Sequence, residues 1–121
     1  MDIIQLSITR IAKTSVCAAV EDGERVYEAI IREFSLGNSV NLSFKGVKFV
    51  ISAFLNPAIG KLYGHYEDNY IKERLSVSDV TLEHIYIIKE VTDNAKKYFK
   101  LKDTFDKFIG ESDKENNEEE N

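Results

Sequence analysis

The chain has 121 residues, 43% hydrophobic and 31% charged, with seven phenylalanines, six tyrosines and no tryptophan. That is material for one domain with one core, and no apolar run approaches the roughly 18 residues a membrane helix needs. Its net charge of −5 sits at the end: six of the 21 acids and one of the 16 bases lie from Glu111 onward, leaving fifteen of each in residues 1–110, so the body is neutral and lacks the basic face of a general nucleic-acid binder.

The first residues, MDIIQLSITR, carry an acid at position 2 and lack the basic, apolar, small-residue order of a signal peptide. Cys17 is the only cysteine and cannot form an internal disulfide, which fits a reducing compartment and a cytoplasmic location. The end, ESDKENNEEEN, has no apolar residue to bury, so residues 111–121 are expected to form a disordered acidic tail.

In chain order, Ile3 to Ile8 reads as a first strand, with Thr9 to Ile11 able to extend it, before a loop through Lys13-Thr14-Ser15. Asp22 is the expected N-cap of a helix on which Val26, Ile30 and Phe34 recur at i, i+4 and i+8, beside Tyr27 and Ile31; Gly37-Asn38 ends it. Val40, Leu42 and Phe44 alternate as a half-buried strand, loosened at Lys45-Gly46 before Val47–Ile51. Ser52 is placed to cap the next helix, whose apolar face is Phe54, Leu55, Ala58, Ile59 and Leu62, with Pro57 in its second turn and Gly64 at its end.

Tyr70 to Val77 reads as a further strand. Ser78, Asp79 or Thr81 then caps a long helical stretch over 81–109, with a break near Asp93-Asn94 or Leu101–Asp103 as an alternative to one rod. The stripe Leu82-Ile85-Ile88-Val91 is expected to be buried, whereas Tyr98, Phe99, Phe105 and Phe108 fall on a segment running about 25 Å beyond Val91 if straight. The order β, α, β, α, β, α predicts an α/β domain over 1–110: a small mixed sheet of about four strands with helices packed against it. The expected core is Val26, Ile30, Phe34, Phe44, Val47, Phe49, Phe54, Leu55, Ile59 and Leu62.

The stretch VNLSFKGVKFVISAFLNPAIGKLYG, from Val40 to Gly64, resembles the STAS-like domains of the DUF4325 type, small bacterial and phage-associated relatives of the anti-sigma-factor antagonist fold. Phe44, Gly46, Val47, Ser52, Phe54, Gly60 and Leu62 stand at that family's spaced positions, and the preceding helix DGERVYEAIIREF also fits; the likeness spans about residues 1–92. The resemblance implies a STAS-like fold and a non-catalytic regulatory module that binds a protein partner, a histidine-kinase-like ATPase. Such a partner phosphorylates a serine at the start of the helix that follows the central strand, which here is Ser52, with Ala53, Asn56 and Lys48 as the surrounding partner surface. A phosphate there would add about two negative charges to a docking surface. Two positions depart from the family: Ile51 replaces the acid before the serine, and Ser43 replaces the strand acid before Phe44. The other reading of Ser52 is a plain helix cap.

No Cys-x-x-Cys or His-Glu-x-x-His spacing joins Cys17, His65 and His84, so neither a metal nor another cofactor is expected. There is no phosphate-cradling Gly-x-x-x-x-Gly-Lys run or dinucleotide fingerprint. Cys17, in an apolar CAA setting, reads as a buried small hydrophobe. An enzyme, or an accessory subunit completing an enzyme site, would use Ser52 with His65 and Asp68, an arrangement only geometry can establish. Two function classes therefore stand: a partner-switching module without catalysis, and a catalytic or accessory role. The late aromatics Tyr98, Phe99, Phe105 and Phe108 also predict self-association as a homodimer through residues 95–109. No nucleic acid or membrane is expected as a partner.

Overall fold

A computed structural model describes residues 2–120, with side chains through Ile109, so the expectation of a disordered acidic tail over 111–121 lies outside the described side chains. The elements are β1 (Ile3–Ser7), α1 (Ile8–Ala12), β2 (Val16–Cys17), α2 (Val20–Ser35), β3 (Ser39–Ser43), β4 (Phe49–Val50), α3 (Ser52–Ala58), a 3-10 turn (Gly60–Gly64), α4 (Asp68–Arg74), β5 (Leu75–Ser78) and α5 (Leu82–Glu120).

The α/β class holds, but the strands divide into two parallel sheets and do not form one mixed sheet. The larger has the order β1-β3-β5, and the smaller pairs β2 with β4. In the larger sheet Ile4, Val40 and Leu75 align in one row and Leu6, Leu42 and Val77 in the next, forming the apolar face. The opposite face carries Gln5, Asn41 and Ser76 in one row and Ser7, Ser43 and Ser78 in another. Side chains alternate along a strand, so one face packs on helices while the other is polar. That polar face is tied together by hydrogen bonds. Asn41 Nδ2 donates to Ser76 Oγ (3.0 Å), and the Ser78 hydroxyl donates to Asn41 Oδ1 (2.7 Å).

The core joins Val26, Ile30 and Phe34 of α2, Phe54, Leu55 and Ala58 of α3, Val40 and Leu42 of β3, and Ile8, Ile59, Leu62 and Val91. Nine of the ten expected core residues are buried; Phe49 is not, at 53% exposed. Its strand is only two residues long and pairs with β2 at the rim, beside the equally uncovered Val16.

Four local expectations are corrected. The first strand stops at Ser7, whose Oγ accepts from the Arg10 N–H (3.3 Å) and so caps a one-turn helix that carries Ile8 into the core. The helix expected to start at Asp22 begins at Val20 with Ala19 as N-cap; Asp22 lies in the first turn, where its carboxylate pairs with Arg25. Most of the strand expected over Tyr70–Val77 is helix, and only Leu75 onward is extended. There Tyr66 stacks on Tyr70 (5.1 Å), both rings meet Phe34 edge-on, and Arg74 lies 4.5 Å over the Tyr70 ring. Tyr70 and Arg74 are helical neighbours four apart, and packing on α2 overrides the alternating reading.

The fourth correction concerns α5, which is unbroken at both expected break points. Its cap is Thr81: the hydroxyl accepts from the His84 N–H (3.1 Å), and His84 Nδ1 accepts from the Thr81 N–H (3.1 Å). This is the reciprocal logic of a capping box with histidine in the acidic residue's place. Because His84 must face inward, the buried face is His84, Val91 and Ala95, with Ile88 partly covered; Leu82 is 84% and Ile85 47% exposed, against expectation.

Candidate functional site

β4 delivers the chain to α3 through Ile51, which is extended (φ −124°, ψ 166°) and accepts from the Phe54 and Leu55 N–H groups at 3.1 and 3.2 Å. Ile51 is thus the N-cap, and Ser52, expected in that role, is the first helical residue. Among the described residues its hydroxyl makes no hydrogen bond, and it faces solvent. Phe54, Leu55 and Ala58 are fully buried and anchor the other side of the helix, so Ser52, Ala53 and Asn56 form its outer face.

Lys48, also exposed, lines a shallow groove of about 450 Å³ between β4 and the first turns of α5. Its apolar walls are Phe49 (53% exposed), Leu82 (84%) and Tyr86 (74%), with His84 behind them packed 5.3 Å from Phe44. Lys48 and Glu83 set one charge of each sign at its edge. A second groove of about 420 Å³, between α3 and α5, contains Asn56 and Tyr98. The structure exposes Ser52, Ala53 and Asn56 on the outer face of α3 and Lys48 in the segment leading into it, where Lys48 shares a groove with Phe49, Leu82 and Tyr86. Reading from sequence missed those three because periodicity put Phe49 in the core and Leu82 in a buried stripe, and it did not single out Tyr86.

Ser52 and His65 are not brought together. Ser52 opens α3 with no hydrogen-bond partner among the described residues, whereas His65 follows the 3-10 turn. His65 instead lies 6.3 Å, centroid to centroid, from the Tyr27 ring, and Asp68 approaches Lys96 at 3.8 Å. Cys17 is fully buried, and burial, reinforced by the Asp22 carboxylate, pushes its thiol up to about 11. Among the described residues no three of His, Cys, Asp and Glu gather as a metal site, and no helix is long and apolar enough to cross a membrane.

A polar cluster that sequence spacing did not reveal sits at the C-terminal ends of the parallel strands. The Ser43 hydroxyl donates to the Asp79 carboxylate (2.8 Å) and accepts from the Lys45 N–H (3.2 Å). Asp79 holds a left-handed backbone (φ 57°), and Thr9 donates to the Lys45 carbonyl (3.3 Å) across the same corner. Ser43 thus stands where the resemblance leads one to expect an acid, and it binds one from the neighbouring strand's end.

Of the late aromatics, Tyr98, Phe105 and Phe108 are exposed, but Phe99 is not free for self-association. Its ring lies on Gly64 so closely that a Cβ there would come within 2.5 Å of it.

Searches of curated proteins and of solved structures return no match to the chain. A family model does match: the one described as a STAS-like domain of unknown function (DUF4325) covers residues 22–84, from the first turn of α2 to the first turn of α5. With just over half its length so matched and a compatible α/β topology, the chain belongs to the STAS-like DUF4325 family.

Proposed function

We propose that this chain is a regulatory protein-binding module without catalysis of its own, and that it docks a partner on the surface formed by α3, β4 and the first turns of α5. The observation that carries this reading is an exposed Ser52, without a hydrogen-bond partner among the described residues, two residues after β4, whose Phe49 shares an uncovered apolar groove with Leu82 and Tyr86. Large apolar and aromatic side chains left exposed together, rimmed by charge, are the usual mark of a protein interface.

Ser52 is the switch residue in this account, phosphorylated by a histidine-kinase-like ATPase partner. The hydroxyl stands on a helix whose inner face is locked in the core, so the added charge would appear at a fixed place. About two negative charges at the rim of an apolar contact suffice to release or recruit a partner.

Phosphosite mapping of the protein isolated from its host, together with partner affinity for wild type, Ser52→Ala and Ser52→Asp, tests the proposal. Modification at Ser52 and a changed affinity for Ser52→Asp are expected. Equal affinity for all three would remove the switch.

A further inference from the structure

Beyond its packed turns, α5 carries a second apolar row that no other described residue covers. Tyr98, Leu101, Phe105 and Phe108 are 59, 70, 61 and 66% exposed, and every described residue from Leu101 to Ile109 faces solvent. Their spacing of three, four and three residues is the a/d repeat of a coiled-coil seam. Phe99, one step off that row, is held by Gly64, so the seam begins where the helix leaves the domain.

We propose that this seam pairs, antiparallel, with the same seam of a second copy of the chain. Three observations select that occupant and direction. The row is self-complementary: turned end for end about its midpoint, it sets Tyr98 against Phe108 of the partner copy and Leu101 against Phe105, giving four filled layers. The next position at each end, Asn94 or Ser112, is polar, so no fifth layer is required of a longer partner.

Charge then selects the direction. Lys97 and Lys102 flank the seam in the positions that face each other across a parallel pair, where they would repel. A parallel pair would also lay the two acidic ends, six acids and one base each, side by side. The antiparallel pair instead parts the two acidic ends and sets Glu111 of each copy against Lys97 of the other; it also brings the two Lys102 side chains together, each beside its own Asp106 at 3.6 Å. At about 150–250 Å² per large aromatic, four side chains exposed by roughly two-thirds from each copy offer on the order of 1,000 Å² in all, the lower bound for a specific interface.

Sedimentation of the full chain across low to high micromolar concentrations is the test, with Phe105→Glu/Phe108→Glu beside it and circular dichroism to check folding. The intact chain should move from one to two copies in mass, and the double variant should weaken association by at least about tenfold while remaining folded. A monomer throughout, or a dimer indifferent to the double variant, would overturn the proposal. Direction is read in a Cys17→Ala background. Lys102→Cys should cross-link between copies under mild oxidation, because only the antiparallel pair sets the two residues together. Cross-linking of Tyr98→Cys without cross-linking of Lys102→Cys would overturn the antiparallel assignment.

Discussion

Gly23 of α2 rests against the backbone of Phe54 in α3: a Cβ at position 23 would collide with the Phe54 carbonyl oxygen and lie 2.8 Å from Pro57 Cγ. α2 and α3 can approach this closely at that point only with glycine there.

Gly23→Ala is expected to cost about 1–3 kcal/mol or more, because backbone and a proline ring cannot yield as a flexible side chain would. Urea unfolding measures it. Gly37→Ala is the control, since nothing lies within 4 Å and only the left-handed φ of 82° is strained, costing about 1–2 kcal/mol. If Gly23→Ala proves as stable as wild type, the helix contact is looser than described.

The capping pair of Thr81 and His84 makes a second prediction. Thr81→Ala removes the hydroxyl that accepts from the His84 N–H and should cost about 1 kcal/mol. His84→Ala should cost more, because it also empties the space beside Phe44 in a residue only 6% exposed. Thermal or urea unfolding of both variants gives the order.

Ser52→Ala should change stability by less than about 0.5 kcal/mol, the range of ordinary surface substitutions, since Ile51 and not Ser52 holds the cap position. A loss near 1 kcal/mol in urea unfolding would show instead that the hydroxyl caps the helix.

The Cys17 thiol, raised from the ordinary 9.0 to about 11 by burial, gives a pH prediction with a definite sign. The folded protein keeps the proton to higher pH than the unfolded chain does. This contribution to stability is therefore complete below about 9 and is lost as pH rises toward about 11. Cys17→Ala should flatten that alkaline decline, and a thiol reagent at neutral pH should react only as fast as the protein opens.

Val26-Ile30-Phe34 and the Phe54-to-Leu62 face were visible in the sequence because each spans several helical turns and lies wholly in the core. α1 and α4 were not, because five- and seven-residue helices offer too little periodicity to compete with apolar or alternating runs. The split into two sheets and the Ser7–Ser43–Ser78 row depend on pairing between distant residues, which no local pattern carries. At the candidate site, Ser52, Ala53, Asn56 and Lys48 are exposed. Phe49 and Leu82 were misjudged because hydrophobicity says what a side chain prefers, whereas coverage depends on which neighbours arrive.

Docking of a partner beside Ser52 is measured by quantitative affinity purification from the native host with four baits: wild type, Ser52→Asp, Leu82→Glu/Tyr86→Glu, and Glu28→Ala on the exposed side of α2. At least one protein should be retained by wild type and Glu28→Ala, lost with Leu82→Glu/Tyr86→Glu, and changed in amount with Ser52→Asp. Recovery of the same proteins in the same amounts by all four baits would contradict the account.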